Sequence, residues 1–283
     1  MARLRIGFLH PGEMGVSLAA TARRAGHEAL WASEGRGAAT LARATEHGLQ
    51  DAGTLVALCA RSDIVVSICP PHAAEAVAEA VADCGYRGTY VDANAISPAR
   101  LARIAATLAA AGAEVVDGGV IGGPAWEAGT WLYLSGGRAT EVAEAFAAGP
   151  LAVGVVGPEI GAASALKMVY AARTKGTTAL LLAVLGTAER LGVRAALEAQ
   201  WERDEAGSAA AAGERARRVT RKAWRFAGEM DEIAATFAAA GLPDGIHAAA
   251  AELYRRLARF KDAGELPELD VVLAALAPEG EHE

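Results

Sequence analysis

From Arg5 to Val156 the chain keeps changing its hydrophobic period: short apolar runs bounded by Gly, Pro or Asp alternate with stretches whose apolar residues recur every three or four positions. Runs at 5–9, 27–32, 64–69, 89–92, 114–117, 131–135 and 153–156 predict strands, and 55–58 reads as either a short strand or a helix. The intervening stretches 14–25, 40–44, 73–82 and 98–111 predict helices. Strands separated by helices must cross over, so the sheet they form is largely parallel and doubly wound, an α/β class. Past Gly157-Pro158 the alternation stops and long helical patterns follow at 162–191, 195–206, 209–240, 246–260 and 269–276. The expected division is an α/β domain over 1–158 and an all-α domain over 159–283, with 278–283 as a frayed tail.

Composition narrows the partners. The 283 residues include 27 Lys and Arg against 34 Asp and Glu, a net charge of -7, so no basic footprint for nucleic acid or an anionic membrane surface exists. A small-molecule substrate is the better expectation. The longest apolar run, 179–185, lies between Lys175 and Glu189 and falls far short of the roughly 20 residues that span a bilayer. The start reaches His10-Pro11-Gly12 too soon to contain the apolar stretch of a secretory signal. Cys59, Cys69 and Cys84 are odd in number and lack metal-ligand spacing, so they read as reduced packing residues. A cytoplasmic protein without a metal site is expected.

The first strand runs directly into His10-Pro11-Gly12-Glu13-Met14-Gly15 and then into a helix. A dinucleotide fold of the Rossmann type needs glycines here, so that the backbone can turn tightly and the pyrophosphate can rest on a helix N-terminus. The usual G-x-G-x-x-G keeps its second and third glycines, at Gly12 and Gly15, with His10 at the first. After the second strand come Ser33, Glu34, Gly35 and Arg36. An acidic side chain there holds the ribose hydroxyls of NAD, whereas Ser and Arg receive the extra phosphate of NADP. Ser33 directly after the strand and Arg36 beyond it favour NADP, with Glu34 facing solvent and NAD as the alternative. Cys69 and Pro70, closing the strand at 64–69, are expected to complete the cofactor surface.

The predicted helix 162–191 is mostly apolar but carries Lys167, Tyr170, Thr174 and Thr178 on one face. A buried polar stripe must find partners or line a cleft, because each unpaired polar group costs about 1–3 kcal/mol. Lys167 is a strong acid–base side chain on that polar face, and burial of such an amine favours its neutral, proton-accepting form. Tyr170 either assists proton transfer or fills the floor of the cleft. Gly122 and Gly123 let backbone amides approach a substrate, and Asn94 can orient a hydroxyl or carboxylate through its two-sided amide. Trp126 reads as a surface or packing residue, and His247 as a packing residue.

Together the loop 10–15, the turn Asp92-Ala93-Asn94-Ala95-Ile96-Ser97-Pro98, the stretch 117–137 and Lys167 give the chain a resemblance to the β-hydroxyacid dehydrogenase superfamily, which includes 3-hydroxyisobutyrate and 6-phosphogluconate dehydrogenases and has imine reductases among its relatives. The resemblance covers nearly the whole chain. Its C-terminal part looks most like a branch with an uncharacterised phosphogluconate-dehydrogenase-like helical domain. The resemblance implies oxidation of a β-hydroxy acid or the reverse reduction, Lys167 as general acid and base, and a homodimer held by the helical domain. This sequence departs from the family pattern at several substrate contacts. Ile121 stands where the family has Ser before Gly122-Gly123, Asn94 and Ala95 replace its Ser or Thr, Ala171 replaces an Asn four residues after the lysine, and Glu229 replaces a later Lys. Two other functions stay open: reduction of a C=N bond, and a non-catalytic dinucleotide-binding sensor. Lys167 argues against both.

Overall fold

The computed structural model describes residues 2–277, so the tail at 278–283 lies outside the described residues. Its chain divides into two compact units, one reaching to Met168 and the other starting at Val169.

The first unit is built on an eight-stranded sheet. In chain order its elements are β1 (Arg5–Phe8), α1 (Glu13–Arg24), β2 (Glu28–Trp31), α2 (Ala38–Glu46), β3 (Gln50–Asp51), α3 (Leu55–Arg61), β4 (Ile64–Ser67) and α4 (Ala74–Asp83). They continue with β5 (Thr89–Asp92), α5 (Pro98–Ala110), β6 (Glu114–Ile121), β7 (Trp131–Ser135), α6 (Ala139–Ala145) and β8 (Ala152–Gly157). The spatial order is β3-β2-β1-β4-β5-β6-β7-β8, and only the β6–β7 pairing is antiparallel. The direction of winding reverses between β1 and β4, and ligands of open α/β sheets bind outside the carboxyl ends of the strands at such a switch point.

Alternation along each strand feeds two cores. Ile6 and Phe8 of β1, Ala29 and Trp31 of β2, Ile64 and Val66 of β4 and Val91 of β5 share one buried cluster. Their neighbours Leu30, Val65 and Tyr90 share another, as expected of strands covered on both faces. Two stretches that the sequence pattern left open resolve here. The third strand is the two-residue β3, while 55–58 belongs to α3, which opens with the Thr54 hydroxyl accepting the Ala57 amide at 3.2 Å. α6 lies in a stretch that the sequence pattern left unassigned.

All-helical structure follows in α7 (Ala162–Arg190), α8 (Arg194–Asp204), α9 (Ser208–Ala239), α10 (Gly245–Leu257) and α11 (Leu269–Ala274). The division between the two compact units falls within α7. In the second unit Leu182, Leu185, Met230, Ile233, Tyr254 and Leu257 are buried, and the Tyr254 ring meets the Phe226 ring edge-on at 5.6 Å. Tyr254 also donates its hydroxyl to the Lys175 carbonyl at 2.8 Å, joining α10 to α7. Among the described residues no helix is long and apolar enough to cross a membrane.

Candidate active site

At the switch point, β1 leads through His10 and Pro11 to Gly12, the residue that precedes α1. The first amides of a helix have no acceptor within it, and its N-terminus carries positive partial charge. Gly12 is exposed, with open space where a side chain would stand. Gly15 is the opposite case: a Cβ there would lie 2.2 Å from the His10 carbonyl oxygen, so only glycine lets α1 start this close to β1. Two arginines hold the loop. Arg36 donates to the Leu9 carbonyl and Arg43 to the Pro11 carbonyl, each at 3.2 Å. Burial, reinforced by the Arg36 charge, pushes the His10 imidazole down to about 4, so it is neutral at physiological pH, and its buried Nδ1 has no hydrogen-bond partner. An anion-binding helix end, an open glycine and an orphaned ring nitrogen fit the pyrophosphate of a dinucleotide. Glu13 and Met14 form the first turn, Glu13 exposed and Met14 half-buried.

Beyond β2 the chain turns through Ser33, Glu34 and Arg36, with the Arg36 amide donating to the Ser33 carbonyl at 3.0 Å. Glu34 and Arg36 are exposed. Sequence reasoning missed Asp51 at the end of β3. Its carboxylate accepts the Ser33 amide at 3.2 Å and the Gly53 amide at 2.7 Å. Partial burial opposes ionisation there, but hydrogen bonds from Ser33 and Gly53 outweigh it and hold Asp51 below the usual carboxylate range.

Asn94 is buried just past β5, and its amide is fully engaged within the scaffold. Its Oδ1 accepts the Cys69 amide at 2.6 Å, while its Nδ2 donates to Ser67 at 3.2 Å and to Asp92 at 3.0 Å. The geometry ties the ends of β4 and β5 together. Cys69 and Pro70 lie beside this knot at the end of β4, next to β1 in the sheet. Burial pushes the fully buried Asp92 up to about 7, with hydrogen bonds from Asn94 opposing that rise.

Gly122 and Gly123 follow β6 and are exposed, Gly122 turning the chain at φ 124°. The turn is pinned by Thr130, which donates to the Gly123 carbonyl at 2.8 Å, and by the Ala125 amide, which donates to Ser17 of α1 at 2.9 Å. Trp126, 40% exposed, stacks on His47 with ring centroids 4.6 Å apart. Lys167 rises from the second turn of α7, half-buried, and its Nζ donates to the Val120 carbonyl at 2.5 Å. An acid–base amine is thereby held at the carboxyl end of β6, one residue before the Ile121-Gly122-Gly123 turn.

Further along α7 the threonines of the polar stripe find partners. Tyr170 is 48% exposed. Thr178 accepts from the Arg215 guanidinium of α9 at 2.6 Å, and the Thr174 carbonyl accepts from it at 3.1 Å. Glu229 of α9 forms a buried ion pair with Lys175, two residues 54 apart in the chain that no local pattern links. His247 packs edge-on against Phe237, with ring centroids 4.2 Å apart.

Comparison with known proteins adds to this geometry. Residues 5–148 match the model of the NAD binding domain of 6-phosphogluconate dehydrogenase, and residues 188–257 match a domain of unknown function, DUF1932. Among solved structures, a conserved hypothetical protein from Sinorhizobium meliloti 1021 is 26% identical, with 97% of this chain and 96% of that chain covered at a TM-score of 0.69. A conserved protein of unknown function, described as structurally similar to 3-hydroxyacid dehydrogenases, is 28% identical over 91% of this chain and 99% of its own, with a TM-score of 0.66. The 3-hydroxyisobutyrate dehydrogenase of Mycobacterium tuberculosis shares the fold at 19% identity and a TM-score of 0.67, with 98% of this chain and all of that chain (100%) covered. None of the curated proteins compared with the chain matches it.

Proposed function

We propose, for a chain that belongs to the family of the NAD binding domain of 6-phosphogluconate dehydrogenase, an NADP-dependent oxidoreductase acting on a small β-hydroxy acid or its carbonyl counterpart, with Lys167 as the proton-transfer group. The observation that carries this reading is the Lys167 amine held at the Val120 carbonyl, directly before the Gly122-Gly123 turn and within the dinucleotide-binding unit.

Bound at the switch point, a nicotinamide supplies or receives the hydride. The chain's own residues account for the rest. The first turn of α1, with Gly12 open before it, seats the pyrophosphate, and a neutral His10 adds a hydrogen-bonding edge without charge. Arg36 and Ser33 receive the 2′-phosphate. The Asp51 carboxylate is occupied by the Ser33 and Gly53 amides, so it shapes this turn rather than contacting ribose. Cys69 and Pro70, fixed by Asn94, floor the crevice beside β1. In oxidation the substrate hydroxyl gives its proton to Lys167 Nζ as hydride leaves the carbinol carbon. In reduction the same nitrogen returns a proton to the carbonyl oxygen. Amides at Gly122 and Gly123 orient the substrate carboxylate, standing in for the hydroxyl that Ile121 lacks.

Two measurements test the reading. Fluorescence titration should give tighter binding of NADPH than NADH, with the preference reduced by Arg36→Ala because a charge-assisted phosphate contact is lost. A panel of hydroxy acids, sugar acids and cyclic imines should give turnover with a hydroxy acid and loss of it in Lys167→Met. Tighter NADH binding would overturn the cofactor assignment. Turnover confined to cyclic imines, or tight cofactor binding with no turnover at all, would overturn the reaction.

A further inference from the structure

Where the Lys167 amine sits depends on how the first two turns of α7 lie against β6, and that contact is unusually close. A Cβ on Gly119 would come within 2.7 Å of the Ala163 carbonyl oxygen and 3.1 Å of Lys167 Cβ, so helix backbone rests directly on strand backbone. Three fully buried polar side chains lie at the same place: Asp117 of β6, Ser135 of β7 and Ser164 of α7. Asp117 Oδ2 accepts the Ser164 amide at 2.9 Å and the Ser135 hydroxyl at 3.0 Å, and Oδ1 accepts the Ser164 hydroxyl at 2.6 Å. The Ser135 hydroxyl oxygen in turn accepts the Ala163 amide at 3.0 Å. Two of the amides that a helix start leaves without internal acceptors are thus taken up by the sheet, and the carboxylate lies at the positive end of the helix.

We propose that Asp117, with Ser135 and Ser164, is a positioning cluster that sets the Lys167 amine at the Val120 carbonyl; the inference rests on the reading of Lys167 as the proton-transfer group. Two contacts advance together along the pair of elements. Ser164 meets Asp117, and three residues further in both elements Lys167 meets Val120. The strand rises about 10 Å over three residues and the helix about 4.5 Å, so the lysine stem spans the difference. Residues three apart share a helix face, so fixing both the amide and the hydroxyl of Ser164 fixes the rotation and the height of Lys167 one turn later. Packing alone does not need this arrangement, because apolar residues of similar size commonly match a buried charged group in stability. What the cluster adds is register.

A mutant cycle on the full-length protein with NADPH and its substrate tests the inference. Asp117→Leu keeps the branched shape but puts bulkier methyls in place of both acceptors; Asp117→Asn is nearly isosteric and retains one oxygen for the Ser164 amide. The expected result is a kcat about 10- to 100-fold lower in Asp117→Leu with NADPH affinity unchanged, the scale on which small misplacements of a reacting group act. The limb of the pH profile that reports the lysine should move, and Asp117→Asn should recover most of the loss. In a Lys167→Met background Asp117→Leu should cost nothing further. An undiminished kcat in folded Asp117→Leu, or the same fold-loss with and without Lys167, would overturn the inference. If Asp117→Leu fails to fold, Ser164→Ala runs the same cycle with the same outcomes. Parent-like turnover in Lys167→Met alone would instead overturn the reading of Lys167, which separates the two failures.

Discussion

A lysine that only filled space would leave turnover intact on losing its amine, which makes Lys167→Met the decisive substitution at the residue scale. Methionine keeps much of the apolar stem but carries no proton. Turnover is expected to fall by about 100- to 10,000-fold, the usual worth of a positioned general acid or base. Folding and NADPH binding should be nearly unchanged, as thermal denaturation and fluorescence titration would report. His10 gives a second prediction, in pH. Its imidazole titrates near 6.5 in the unfolded chain but is lowered to about 4 in the fold by burial and by Arg36. Between those values the unfolded chain binds a proton that the folded chain excludes, so stability is present above about 6.5 and is lost as pH falls toward 4. The difference is on the order of 3 kcal/mol. His10→Asn should remove that slope, so the gap in thermal midpoint between variant and parent should change across this window. A constant gap would show that His10 does not titrate as its burial requires. Individual roles were only partly legible in the sequence. Lys167 stood out because it is a cation on an apolar helix, whereas the knot around Asn94 joins β4 to β5 and could be seen only once the strands were paired.

Elements with long, regular periods were readable, and those that depend on a few tertiary contacts were not. α7 and α9 were legible over nearly their full lengths because each runs for many turns without an interrupting proline. β3 has two residues, too few for any alternation, and exists because its residues pair in parallel with Leu30 and Trp31 of β2. The polar stripe on α7 was visible, but its partners lie on another helix. Thr174 and Thr178 are met by Arg215, and Lys175 by Glu229, all through α9. The ion pair carries a prediction for the helical unit. Lys175 and Glu229 keep 13% and 9% of their side-chain surface exposed, and the Lys175 amine also sits 4.7 Å from the centre of the Phe226 ring. Removing one partner of a buried pair leaves a desolvated charge and costs about 3–5 kcal/mol. Arg225 approaches Glu229 at 4.0 Å and offsets part of that. Lys175→Met is therefore expected to cost about 3 kcal/mol in chemical denaturation, the low end of that range. A loss below about 1 kcal/mol, the scale of a surface pair, would show that the pair is solvated.

For the molecule as a whole, the remaining question is what covers the apolar surface of its helices. Leu180 and Leu191 of the helical unit are 64% and 70% exposed, and Val184 and Val193 are exposed beside them in the chain. Val184, Leu191 and Val193, with Ala183, Thr187 and Leu197, line an apolar hollow of about 360 Å³. Apolar surface of this kind is normally an interaction site, and two-fold pairing of identical chains is the commonest way to cover it. The expected state is a homodimer joined through α7 and α8. Light scattering at micromolar concentration should give twice the chain mass, and the thermal midpoint should rise with protein concentration, because association stabilises only the folded form. A charge at the centre of the patch should reverse both results. Leu180→Glu combined with Leu191→Glu is expected to give a folded monomer whose midpoint no longer depends on concentration. A parent chain that scatters as a monomer at micromolar concentration would refute the dimer, and a double variant that remains dimeric would place the interface elsewhere on the chain.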